Sequence, residues 1–378
     1  MSLLRSERFA ASLLLVAAAA GLIVANSAAA PAVMGFAQGH VGPPPFDLSV
    51  AHWVQDGLLA IFFFGVSVEL QFEITRGELS SVRRAVQPAI AALGGVAAPV
   101  VIYLAVTAGR GVTAGWPVPT ATDVAFALGV LAVFGRGLPA GIRAFLLALA
   151  IIDDLVGIVL IALLYARDLH WGMLALAVAG VVVFAVLSRL DAGRARLVIG
   201  IVMGVVAVAT WCGMLLSGVH PTIAGVLLGL AMAQGSAMRA RHALEPWING
   251  VVLPAFAFFA ALVVVPAVGG GLSWAFWGVL IALPVGKLVG ITSAAWISQR
   301  TIGRRGEQFA AGDLLAVSAL GGIGFTVSLL LASLAFAQSA PDRDAATLGV
   351  LAGSVVSLIA GAVLVAWRAR ISRRKESA

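Results

Sequence analysis

The chain has 378 residues, 61% of them hydrophobic and only 11% charged. Soluble domains carry about 25% charged residues, so the composition excludes a sizeable soluble domain and points to a polytopic membrane protein. A formal charge of +7 would suit a nucleic-acid binder, but nearly every Arg sits in a short gap between apolar runs, where it sets topology. The single Cys212 excludes an internal disulfide.

At the N-terminus, Arg5 and Arg8 precede an apolar run and then Ala-Asn-Ser-Ala-Ala-Ala, in the manner of a cleavable secretory signal. The run from Phe9 to Val24 is long for a signal core, so it reads as a first transmembrane helix. Apolar segments separated by Gly, Pro and Arg clusters lie near 9–28, 53–74, 88–108, 121–135, 143–165, 171–188, 196–216, 219–234, 246–268, 274–297, 312–337 and 346–367. The expected fold is all-α, with about 12 transmembrane helices in one integral-membrane domain over 1–378. Short tails lie at about 1–8 and 368–378.

Twelve spans put both termini on one side. The tails and the alternate gaps hold 20 of the 24 basic residues. The opposite gaps hold Arg110, Arg167 and Arg343, and Lys287 lies inside a span. This asymmetry places both ends in the cytoplasm.

Two spans look broken. The fourth is short and is entered through Pro117, Pro119, Thr120 and Thr122; the eleventh carries Gly321-Gly322-Ile323-Gly324. A Gly cluster alone is more often a helix-packing contact. Paired interruptions that coincide with intramembrane charge instead suggest inverted-topology repeats with a binding site at the two breaks.

Four ionisable residues fall well inside spans: Asp123, Asp153, Asp154 and Lys287. Ala144 to Leu164 reads AFLLALAIIDDLVGIVLIALL, with no charge other than the Asp pair. A charge at that depth costs at least about 2.5–3.5 kcal/mol, so a proton, a cation or a buried base must accompany it. Neighbours on a helix point about 100° apart, so Asp153 and Asp154 face different surroundings. One can pair with Lys287, one of only two lysines, while the other faces a water-filled cavity. Snorkelling of Lys287 to the interface is hard from mid-span. A purely structural salt bridge is the simpler alternative for the pair. Asp123, after Thr122, opens the short span as a helix cap would, and unwound backbone beside it would expose carbonyl oxygens. Hard cations such as sodium take carboxylate and carbonyl ligands. Protons and a monovalent cation would then compete for the same oxygens, and a site exposed alternately to the two sides is an exchanger.

These residues carry a resemblance. Ala121-Thr122-Asp123-Val124-Ala125-Phe126-Ala127-Leu128-Gly129-Val130 resembles the broken-helix signature of the NhaA-type sodium/proton antiporters, and Leu147 to Asp154 resembles their paired-aspartate helix. Gly286-Lys287, Ser217-Gly218-Val219-His220, Gly322 to Thr326, Ala332 to Phe336 and Ala25-Asn26-Ser27 fit the same pattern in order and spacing over the whole chain. The resemblance implies that Asp154 is the principal Na+ ligand and proton carrier. It implies that Asp153 pairs with Lys287 and shares the traffic. It also implies that the two broken helices cross near mid-membrane, with Asp123 and Thr122 at the crossing. It further implies an electrogenic transporter in a bacterial plasma membrane rather than an enzyme. Na+ or Li+ would leave in exchange for more than one H+. The bilayer would be its surroundings, with no resident cofactor and no nucleic-acid partner.

The same resemblance links His220 and Glu69 to pH response and makes the outer hairpin a homodimer contact. Pro43-Pro44-Pro45 in that loop is poor strand material. Some positions depart from the pattern. Gln55 replaces a usual Asn before Asp56, Phe258-Phe259-Ala260-Ala261 replaces a Phe-Ala-Asn-Ala run, and Arg241 stands where some members have an acidic residue. A shifted or weakened pH dependence is expected. Competing readings are a different cation or small-solute transporter on the same fold and a membrane-embedded Asp-motif prenyltransferase. Asp153-Asp154-Leu155-Val156-Gly157 lacks the third Asp of such an enzyme, and no second Asp-rich motif occurs. An inactive scaffold is hard to reconcile with four buried charges.

Overall fold

The computed structural model describes residues 7–77, 80–135, 138–166, 168–190, 196–265, 271–302 and 308–376. Arg5, Arg136, Arg167, Arg194, Arg304 and Arg305 of the charge count lie outside them. Among the described residues the ordered elements are helices, apart from one hairpin of two-residue strands. Helix α1 (Glu7–Ala25) is followed by α2 (Ala30–Gln38), which turns away from it by 111° and so does not prolong the span. Strand β1 (His40–Val41) pairs antiparallel with β2 (Leu48–Ser49), with the three prolines confined to the loop between them. A hairpin therefore forms despite poor strand material.

Then come α3 (Val50–His52), α4 (Leu59–Thr75), α5 (Val82–Thr107), α6 (Val124–Phe134), α7 (Ala140–Leu164), α8 (Trp171–Arg189), α9 (Arg196–Leu216) and α10 (Thr222–Ala231). They are followed by α11 (Gln234–Trp247), α12 (Leu253–Ala260), α13 (Trp274–Ile281), α14 (Lys287–Thr301), α15 (Ala311–Gly321), α16 (Phe325–Ala335) and α17 (Ala340–Glu376).

Among the described residues, eight helical stretches are long and apolar enough to cross a membrane, or up to eleven if each bent pair counts once. The expected eighth span, near 219–234, is the ten-residue α10. At 1.5 Å per residue it covers about 15 Å, half of a bilayer core. The span expected near 246–268 instead runs from Gln234 to Ala260. Its first turns carry Arg239, Arg241 and His242, so hydropathy hides them. Wide π-type turns join α3 to α4 (Trp53–Leu58), α11 to α12 (Ile248–Val252) and α13 to α14 (Ala282–Gly286). Pro284 lies in the last of these and lacks the N–H that a regular ladder needs.

Contacts between helix ends sort the bundle into two faces. At one, Gln234 bonds Thr75, Ser188 Oγ accepts from the Ala233 amide at 2.9 Å, and Arg368 meets Asp313 at 2.8 Å. At the other, Asn26 grips the Val263 carbonyl and the Val265 amide, and the Arg110 guanidinium lies 4.2 Å over Trp274. The first face carries Arg76, Arg143, Arg189 and Arg300 next to helix termini, with Arg239 and Arg241 inside α11; we call it the basic face.

Close backbone approach sets the interior. A Cβ on Gly290 would lie 2.1 Å from the Gly94 carbonyl oxygen, and one on Gly286 would lie 2.6 Å from Pro99 Cα. Helices α14 and α5 thus touch main chain to main chain. Gly225 meets the Ala60 carbonyl in the same way, joining α10 to α4.

Candidate ion site

Two interruptions face each other in mid-bundle. A 3-10 turn (Val118–Thr120) gives way to extended chain at Ala121 before α6 begins, with a bend of 41°. Helix α15 ends at Gly321, and α16 restarts at Phe325 after a bend of 47°. The two breaks are stitched together. The Asp123 amide donates to the Ile323 carbonyl at 2.5 Å. The Thr122 hydroxyl lies 2.7 Å from the Gly321 carbonyl oxygen and 2.8 Å from Asp153 Oδ2.

Asp123 closes two helices at once. Its Oδ1 accepts from the Phe126 amide at 3.2 Å, in the first turn of α6. Its Oδ2 accepts from the Thr326 amide at 3.2 Å and the Thr326 hydroxyl at 2.8 Å, in the first turn of α16. Two helix N-termini converge there, each with free N–H groups and a partial positive charge. One buried carboxylate compensates both. Phe126 and Phe325 pack edge to face over the junction, with centroids 5.2 Å apart.

Lys287 begins α14, directly after the π turn, and is fully buried. Its stem passes over Gly95, where a Cβ would come within 3.7 Å of Lys287 Cδ. Nζ reaches Asp153 Oδ2 at 2.6 Å, with neither side chain exposed. Asp153 Oδ2 thus has two partners, while Oδ1 is buried without one. Asp154, one residue on and 2% exposed, is different: among the described residues no donor is bonded to it, and its Oδ1 is shielded from solvent. The neighbouring carboxylates do differ in environment, as helix geometry requires.

The structure therefore gathers Thr122, Asp123, Asp153, Asp154 and Lys287. It does not bring the other two candidates into contact with them. Glu69 bonds Arg241 at 2.9 Å, each about a quarter exposed, toward the basic face. His220 lies toward the opposite face, with Nε2 3.6 Å from Asp56 Oδ1 and Nδ1 2.8 Å from the Thr222 hydroxyl. Thr326 was not singled out as a site residue from sequence. Its signal was a hydroxyl two residues after the last Gly of a break, where a helix restarts. The part-buried Arg368–Asp313 pair was also missed, because Asp313 stands at a span's edge. Among the described residues, no group of three or more His, Cys, Asp or Glu is arranged to hold a metal ion.

The family model for Na+/H+ antiporter 1 matches residues 1–365. The chain belongs to that family. It is 56% identical to Na(+)/H(+) antiporter NhaA 2 of Clavibacter michiganensis subsp. michiganensis, over all of this chain and 94% of that protein. It is 43% identical to Na(+)/H(+) antiporter NhaA of Tropheryma whipplei, over 97% of this chain and 95% of that one. A third Na(+)/H(+) antiporter NhaA, from Mycolicibacterium smegmatis, is 41% identical over 98% of this chain and 88% of its own length. The Na+/H+ antiporter 1 match runs through both broken helices and the Asp pair, so the site belongs to the part of the chain the family shares.

Proposed function

We propose that this chain is an electrogenic antiporter that carries Na+ or Li+ out of the cell in exchange for external protons, with Asp154 as the exchanging ligand. The observation that carries this reading is the isolation of Asp154: it is 2% exposed and unbonded, one residue from an ion pair and beside a double helix break. A carboxylate so placed is stable only with a proton or a cation on it. Sodium prefers oxygen ligands, and Asp154 with the free Oδ1 of Asp153 offers them. Asp153 also holds Lys287, a base that can give up its proton. A cation entering beside both carboxylates therefore competes with the protons of two groups, which makes more than one proton per cation feasible. Asp123 and Thr122 keep the crossing in register.

The basic face is read as cytoplasmic, with both termini there, because short positive segments stay inside. The protein is then a multi-pass component of a bacterial plasma membrane, with 1–378 acting as one unit. Helices α6 and α16 are each eleven residues long and each follow a break, which supports two inverted repeats. The outer hairpin is read as a homodimer contact. His220 with Asp56 and Glu69 with Arg241, on opposite sides of the site, are read as the groups that adjust its pH response.

Everted vesicles test the proposal. Sodium or lithium should collapse a preformed pH gradient, and Asp154→Asn should abolish the collapse. An Asp154→Asn protein that still exchanges refutes the assignment.

A further inference from the structure

We propose that Gln55 and Ser333 form a latch that closes the outer side of the ion path, a step that rests on the antiport reading above. Gln55 lies in the π turn Trp53–Leu58, and its side-chain amide donates to the Ser333 hydroxyl of α16. That turn is otherwise fastened to the surrounding helices. Trp53 stacks on Trp211 of α9 at 5.5 Å and donates to the Val41 carbonyl at 2.9 Å. Trp211 Nε1 donates to the Asp56 carbonyl at 2.9 Å, and the Asp56 carboxylate faces His220. Residues 53 and 56 are thus tied to the hairpin, to α9 and to the approach to α10. Gln55, between them, reaches the broken helix instead.

On its side, Ser333 uses both capacities of its hydroxyl. It donates to the Leu330 carbonyl at 2.7 Å and accepts from Gln55. At the far end of the same short helix, Thr326 holds Asp123. Seven residues separate the two ends, about 10 Å at helical rise. The latch and the crossing therefore sit at opposite ends of one rigid rod. A shift of that rod relative to the π turn breaks the amide–hydroxyl bond, and a return remakes it.

Alternating access needs such a bond. The outer side must be shut while the cytoplasmic side is open, and the shutter must reset every cycle. Both partners here are neutral, so the bond strength does not change with pH or with cation loading. It reports only where α16 stands. Wide π turns recur at functional sites and place side chains that a regular helix would not; this one aims an amide at α16 while its neighbours stay anchored.

The test is Gln55→Leu, with Ser333→Ala beside it, in vesicles of both orientations. Loss of the latch enriches the outward-open state, and apparent affinity scales with the fraction of the competent state. The KM for Na+ offered from outside should fall and the KM from the cytoplasmic side should rise, each by up to about fivefold, the factor of one neutral hydrogen bond. KM values that both stay put, or that move together as from a general packing defect, overturn the proposal. A second arm uses Gln55→Cys with Ser333→Cys in a Cys212→Ser background. A short bis-methanethiosulfonate reagent should stop exchange, and dithiothreitol should restore it. Full exchange by the cross-linked protein overturns the latch. Parent vesicles that show no exchange at all overturn the antiport reading and the latch with it.

Discussion

Replacing Gly290 by alanine loads the contact that positions Lys287. The new Cβ would sit 2.1 Å from the Gly94 carbonyl oxygen and 2.8 Å from Ala98 Cβ. The first of these is main chain and cannot rotate away. Real Cβ contacts essentially never fall under 3.0 Å, so α14 and α5 must separate by about 1 Å. Lys287 is three residues upstream on the same helix. Carried along, its 2.6 Å contact with Asp153 stretches toward about 3.6 Å, beyond a good charge-assisted bond. Overpacking of this kind costs about 1–3 kcal/mol, and a misplacement of about 1 Å in a reacting site can lower a rate by about 100-fold. The purified protein should melt at a lower temperature, and sodium-driven proton release from vesicles should slow by at least about tenfold. Gly204→Ala in α9 is the control, since nothing lies within 4 Å of its Cβ; it should be neutral or mildly stabilising. Parent-like melting and parent-like exchange in Gly290→Ala would refute the reasoning.

Lys287→Ala leaves Asp153 without its cation in a fully buried site and should destabilise the protein by about 3–5 kcal/mol. Adding Asp153→Asn to Lys287→Met should recover most of that loss, and a double variant as unstable as Lys287→Ala, by thermal melting, would count against the pair. The pH profile of exchange should be shifted or flatter than that of a typical family member, because Glu69 here is bonded to Arg241, a group whose charge is constant over the working range. A steep, typical profile in a vesicle pH series would remove that explanation.

Much of this site could be read from residues alone because burying charge in a membrane is so costly. Asp123, Asp153, Asp154 and Lys287 stood out against apolar runs for that reason. Helix geometry showed that the two neighbouring Asp residues differ, and the resemblance named Asp153 as the partner of Lys287. Features that depend on close packing were not legible. Nothing in the residues around Gly290 says that its backbone rests on Gly94. The π turns were equally hidden, since a slipped hydrogen-bond ladder leaves hydropathy unchanged. Helix α11 escaped because its arginines look like a loop, while its apolar residues pack inward. The short α10 read as a span for the opposite reason, being apolar without having the length. Thr326 needed the structure, because its role depends on a carboxylate 203 residues away in sequence.

The double cap at Asp123 has a kinematic consequence. The residue is bonded through its amide to one break and through its carboxylate to the first turns of both α6 and α16. Neither half-helix can tilt alone without uncovering N–H groups that have no water to turn to. The two therefore travel as a single body, and the Gly321 carbonyl, held by Thr122, travels with them. On the proposed antiport reading, the moving part is then the whole crossing, and a cation held at Asp154 would not climb through the protein; the barrier would be carried past it.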